Sequence, residues 1–149
     1  MSAKTNVPID DGRCFACGPQ NPIGLRLEFE DLGDEGVRAR TALASEFQGW
    51  RGIAHGGIAI SLLDEAMAHA AGFAGHRGVT ASMSVRFRRA VPLERPLEIR
   101  GRVAWRRGRV LGLEADVYDG DGKLLLHGEG HFVSQGAVGD AVDRRNPPP

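Results

Sequence analysis

The sequence predicts an α+β domain in which an antiparallel sheet of about six strands wraps round one long central helix. Two patterns lead there. Between Gly56 and Gly72 the chain has no proline and repeats its apolar residues with helical period, whereas most of the remaining chain alternates apolar and polar residues with the period of two that marks half-buried strands. A third is the spacing of the turns: RRGR and DGDGK separate the later alternating stretches by only a few residues, as in an antiparallel meander.

Residues 1–22 mix Pro, Gly, Asp and Asn around CFACGPQNP and read as an irregular lead-in. A hairpin follows. In IGLRLEFED, Ile23, Leu25, Leu27 and Phe29 alternate with polar residues or glycine, and after GDEG the stretch VRARTALA alternates again. SEFQGWRG has no period and is a loop. In the helical segment one row holds Ile58, Leu62, Ala66 and Ala70 and a second holds Ile60, Leu63, Met67 and Ala71. A helix apolar on so many sides must lie inside the molecule. The strands VTASMSVRFRRAV, LEIRGRVAWRRG, VLGLEADVYDGDG and KLLLHGEGHFV then follow. Their apolar sets are Met83, Val85 and Phe87, then Ile99, Val103 and Trp105, then Leu111, Leu113, Ala115 and Val117, each expected on one buried face. The domain is therefore drawn as 23–134, with the proline-rich 135–149 a disordered tail. With only one helix, nothing but the sheet is left to cover it, and the sheet edges favour pairing with a second subunit.

Composition narrows the function classes. The chain has 149 residues, enough for one domain that buries roughly two-thirds of its unfolded surface. A hydrophobic fraction of 42% with 26% charged residues and no apolar run near ~20 residues excludes a disordered chain and a helical membrane protein. The net charge of zero argues against binding to nucleic acid or membrane surfaces through bulk electrostatics. MSAKTNVPIDDG lacks the apolar core of a secretory signal, so the cytoplasm is the expected compartment.

Cys14 and Cys17 have half the spacing of a zinc site but no second pair follows, and His127 and His131 of HGEGH would stand about 13 Å apart on a strand. No metal, and no cofactor of any kind, is expected. The thiols are read as reduced and structural. DGDGK resembles the start of a calcium loop, but Lys123 takes a ligand position and Gly130 stands where the twelfth-place glutamate is needed.

The chemistry concentrates in HGGIAISLLD, residues 55–64. Gly56 and Gly57 in the first turn of a helix leave backbone N–H groups uncovered at the positive end of the helix dipole, a setting that suits an oxyanion. Asp64 is eight residues on, about 12 Å along the axis, too far to act on the same small centre within one subunit. If both serve one site, the second comes across a dimer interface. A carboxylate among Leu62, Leu63, Ala66 and Met67 costs several kcal/mol unless it is partnered or wet, and such acids are often catalytic. Glu65 points about 100° away and is read as the surface acid, with an exchange of the two roles left open. No GxSxG elbow or cysteine–histidine site competes.

GWRGIAHGGIAISLLDEAMAHAAG, preceded by CFACGPQNPIGLRLEF and followed by VTASMSVRFRRAVPL, resembles the hotdog-fold thioesterase superfamily, in the branch that includes phenylacetyl-CoA thioesterases. The resemblance spans roughly residues 14–133. It implies a homodimer with a continuous double sheet, often paired again into a homotetramer, and two active sites at the subunit interface. Carried over residue by residue, it implies that Gly56 donates its N–H to a thioester carbonyl and that His55 fixes the helix start. Asp64 of the other subunit would be general base or nucleophile, with Thr80 positioning the carboxylate or its water. Relatives often carry Asn or Gln where this chain has Gly49, which leaves Gln48, one residue away, as the substitute. Gly57 is a further substrate contact, and Arg86, Arg88 and Arg89 are the residues suited to the phosphates of coenzyme A. Trp50, Phe73, Met67 and Met83 are either pocket lining for an aromatic or medium-chain acyl group or plain core.

The expected function is thus hydrolysis of an acyl-CoA to a carboxylate and free CoA. The alternatives are a non-catalytic acyl-CoA or lipid-binding module and, further off, a dehydratase of hydroxyacyl thioesters.

Overall fold

The computed structural model describes residues 7–137. Its elements in order are β1 (Glu30–Asp31), β2 (Val37–Thr41), α1 (Gly56–Phe73), β3 (His76–Phe87), β4 (Leu97–Arg107), β5 (Val110–Asp119) and β6 (Leu124–Ala137). The strands form one antiparallel sheet in the order β1-β2-β4-β5-β6-β3. Helix α1 packs on its inner face, burying Ala59, Leu62, Leu63, Ala66, Met67, Ala70 and Ala71 against Ile99, Leu111, Val117 and Leu126. This is the expected α+β arrangement, and β6 runs three residues past the boundary drawn at 134. The tail from 138 onward lies outside the described residues. Among the described residues no helix is long and apolar enough to cross a membrane.

Small residues decide how close helix and sheet come. At Gly101 of β4 an added Cβ would lie 2.5 Å from the carbonyl oxygen of Ala66 and 2.7 Å from its carbon, so the strand touches helix backbone. Neither can yield without lifting α1 off the sheet. Gly101→Ala is expected to destabilise the protein by about 2 kcal/mol, lowering the unfolding temperature by roughly 6 °C. Gly72, with nothing within 4 Å of its added Cβ, is the control. There alanine should raise stability by up to about 1 kcal/mol through helix propensity. Equal melting of both variants would refute the close-packing account. In HGEGH, Gly128 and Gly130 face Leu63 and Met67, which turns the two histidines to the outer face.

Two expectations are corrected. The stretch 23–31 was expected as a full strand, but only Glu30–Asp31 pairs in the sheet. Leu25 and Leu27 are buried as the alternation requires, yet their N–H groups donate to Phe15 and Ala16 of the lead-in at 2.8 and 2.9 Å, and Ile23 is exposed. The lead-in competes successfully for those donors. Trp105, expected inward with Ile99 and Val103, stands outside against Gly112, its ring 5.4 Å from that of His131. A register shift between Val103 and Trp105 inserts Ala104 as an extra residue, and one extra residue reverses every later side chain.

On the outer face Asp116 is buried, with His127 Nδ1 2.6 Å and Arg102 Nη1 3.2 Å from its carboxylate; Glu114 of β5 and Glu129 of β6 flank it. The hydrogen bond to Asp116 pushes the His127 pKa up, against the smaller opposing effect of burial. Because the folded value is raised, the pair's full contribution is present below the unfolded pKa of about 6.5 and is lost as pH rises through the folded value. His127→Gln should therefore lower the unfolding temperature more at about pH 5.5 than above about pH 8.5. An equal loss at both pH values would show that the imidazolium adds nothing.

Candidate active site

The loop before α1 folds back on the helix start. His55 N–H donates to the Phe47 carbonyl at 2.8 Å, Gly49 N–H to Ile53 at 2.9 Å, and Ala54 N–H to Val91 at 2.8 Å. A Cβ on residue 49 would lie 2.9 Å from His55 Cα, so this backbone has no room there for an amide side chain. Gln48 instead braces the loop, its Oε1 accepting the Gly52 N–H at 3.1 Å.

His55 is the N-cap of α1. Its Nδ1 accepts the Gly57 N–H at 3.0 Å, one of the donors a helix start leaves over. The N–H of Gly57 is therefore engaged, while that of Gly56 donates to no partner among the described residues. The backbone there is exposed, with only Phe87 near an added Cβ at 3.9 Å. The Gly56 N–H thus stands exposed and without a partner among the described residues at the positive end of an 18-residue helix.

Two turns on, Asp64 is half-buried, and Thr80 Oγ1 donates to its Oδ1 at 2.7 Å. The hydroxyl and the remaining solvent access offset the partial desolvation of the carboxylate. Strand geometry alone does not bring Thr80 inward. Met83 and Val85 pack on the core, and strict alternation would then send Thr80 to the opposite face. A register shift between Thr80 and Ser82 inserts Ala81 and restores Thr80 to the helix side.

Arg86, Arg88 and Arg89 are exposed at the end of β3 and form no ion pair among the described residues. Arg86 and Arg88 line a cavity of about 340 Å³ with His127 and Glu129. Of the residues considered for an acyl pocket, Met67 is core, Met83 packs against the core, Trp50 is 84% exposed, and Phe73 lines a separate cavity at the far end of α1.

Glu65 is not a surface acid. Its side chain is 13% exposed, with His69 Nε2 3.1 Å from Oε1 and Cys14 Sγ donating to the two carboxylate oxygens at 3.7 and 3.8 Å. Burial pushes its pKa up, but hydrogen bonds from His69 and the thiols outweigh it and hold the carboxyl below the usual range. Burial pushes the Cys17 thiol far up, and Glu65 adds to the rise. Sequence reading missed this grouping because Glu65 lies 51 residues from Cys14; the one signal was the pairing of Glu65 with His69 one helical turn later.

The profile of the thioesterase superfamily matches residues 51–126. A solved thioesterase superfamily protein has this fold with a TM-score of 0.79 at 32% identity, the match covering 83% of this chain and 61% of that one. The chain thus spans about three-fifths of that protein's length. A hypothetical thioesterase from Streptococcus pneumoniae, solved with coenzyme A, matches at 22% identity and a TM-score of 0.71, covering 76% of this chain and 91% of its own. The PaaI protein of E. coli, from the phenylacetic acid degradation operon, matches at 17% and 0.70, over 76% and 82%. No curated protein matches the chain.

Proposed function

The chain belongs to the thioesterase superfamily, and on that footing we propose that it hydrolyses an acyl-CoA, with an aromatic or medium- to long-chain acyl group, to a carboxylate and free CoA. The observation that carries this reading is the 2.7 Å contact between Thr80 and the half-buried Asp64. It is a preset carboxylate with one oxygen held and the other left for work.

A thioester carbonyl has weak resonance from sulfur, so a positioned carboxylate and one oxyanion donor suffice. Asp64 removes a proton from water as the water oxygen bonds to the carbonyl carbon, or attacks that carbon itself. The carbonyl oxygen takes up the charge against the Gly56 N–H. When the tetrahedral species collapses, the carbon–sulfur bond breaks and the CoA thiolate leaves, taking the proton from Asp64 in the water route. In the nucleophile route water then hydrolyses the mixed anhydride.

Gly56 and Asp64 of one chain are two helical turns apart, so each site combines the helix start of one subunit with the Asp64–Thr80 pair of another. The sheet supports such a homodimer. β3 is a 12-residue strand carrying exposed Val79 and Phe87 that forms the sheet edge among the described residues, an edge of the kind a second copy covers. Arg86, Arg88 and Arg89 at its end suit the CoA phosphates. The coenzyme A bound to the pneumococcal protein and the operon of the E. coli protein support a CoA-borne substrate of this class.

The test is CoA release by the wild-type protein from acyl-CoAs graded from acetyl to long-chain, with phenylacetyl and benzoyl included. Turnover with at least one member is expected, and the best substrate reports the pocket. If none is hydrolysed while the same compounds raise the unfolding temperature, the protein is a binding module and the hydrolase reading fails.

A further inference from the structure

The two cysteines of the lead-in and the middle of α1 form a grouping that hydrolysis does not use. Cys14, Cys17 and Glu65 each direct one ligand atom into a common space, all three atoms lying within 4.8 Å of one another. Two strands of evidence say that this space is built for an ion.

The first is the turn. Gly18 N–H donates to the Cys14 carbonyl at 2.8 Å, and a Cβ at residue 18 would lie 2.3 Å from the Cys14 nitrogen. Only glycine allows the chain to wrap so tightly, and the wrapping aims both sulfurs the same way. The second is spacing. A tetrahedral zinc ion with bonds of about 2.3 Å to sulfur and about 2.0 Å to oxygen holds those ligands about 3.5 Å apart. The observed Cys14 to Glu65 separations are 3.7 and 3.8 Å, so that pair needs to close by only a few tenths of an ångström, and Cys17 Sγ lies within 4.8 Å of both.

We propose that Cys14, Cys17 and Glu65 bind a zinc ion that fastens the lead-in to the central helix. Two thiolates and a carboxylate are a donor set that favours zinc over magnesium or calcium, which prefer all-oxygen sites. The fourth position opens to a cavity of about 720 Å³ that all three ligands line. His69 stands beside it. Its Nε2 is 3.1 Å from Glu65 Oε1 and its ring stacks on Phe29 at 4.6 Å, so it holds the carboxylate in place as second-layer partners of metal ligands do.

The site has a mechanical consequence. Between residues 7 and 29 no helix or strand is formed, and the N–H groups of Leu25 and Leu27 donate to Phe15 and Ala16 of the same segment. A metal joining residues 14 and 17 to residue 65 would anchor this segment and restrain α1 one residue from Asp64.

The test uses full-length protein without an affinity tag, stripped with a chelator under reducing conditions and titrated with cobalt(II). One equivalent should produce the near-ultraviolet thiolate-to-cobalt charge-transfer band, and zinc should abolish it by displacement. Cys17→Ser should lose the band, Glu65→Gln should bind at least tenfold more weakly, and His69→Ala should lose ~10- to 100-fold in affinity. Circular dichroism of each variant separates loss of ligand from loss of fold. Zinc should also raise the unfolding temperature of the stripped wild type. A wild type that takes up no cobalt while both thiols remain titratable overturns the proposal, as does a band that survives in both Cys14→Ser and Cys17→Ser.

Discussion

Asp64→Ala should reduce acyl-CoA hydrolysis by at least 10²- to 10³-fold, with the unfolding temperature unchanged or slightly raised. The rate falls because the half-buried carboxylate held by Thr80 is the group assigned to activate water or attack the thioester. Stability does not fall with it. Removing a half-buried charge ends the cost of its partial desolvation, and Thr80, left without that partner, is exposed to water. The loss should appear in kcat, with KM for acyl-CoA little changed, since the group acts on the reacting carbon and not on coenzyme A. Asp64→Ala retaining a tenth or more of wild-type turnover would remove Asp64 from the mechanism and return attention to Glu65. Heavy-oxygen water separates the two routes. In a single turnover it labels the acyl product if water attacks directly, and labels Asp64 if an anhydride is opened at the aspartyl carbonyl.

Gly56→Pro should cost on the order of 10²- to 10³-fold in kcat while leaving the fold intact. Proline is suited to the first helical position, and His55 already holds the extended ψ of 135° that a residue before proline prefers. The substitution thus deletes one N–H that has no partner among the described residues. Turnover that persists would assign the oxyanion to another donor. Mixing this variant with Asp64→Ala adds a test of geometry. After subunit exchange, each mixed dimer holds one site with Gly56 from one chain and Asp64 from the other, so about a quarter of wild-type activity should return. A mixture as inactive as its components would mean that each site draws both residues from one chain.

Much of the fold was legible because burial imposes a period. The apolar rows of 56–72 allowed only a helix enclosed on several sides, and the alternation of 97–103 and 111–117 allowed only strands with one inner face. The uncovered N–H at Gly56 was legible for a local reason: glycine at a helix start leaves donors bare wherever the helix lies. Periodicity cannot register a single inserted residue, because an extra residue changes no composition and no spacing beyond itself. Ala81 and Ala104 are such residues. The first turns Thr80 toward Asp64 and makes their hydrogen-bonded pair; the second turns Trp105 out of the core. Helical geometry likewise states that Asp64 and Glu65 point about 100° apart, but not what each meets. By itself the sequence determined the central helix, the later strands and most of their buried faces. The tertiary structure decided which side of each strand faces the helix, and it brought Cys14 and Cys17 to Glu65, because both depend on hydrogen-bond register and on contacts between segments far apart in the chain.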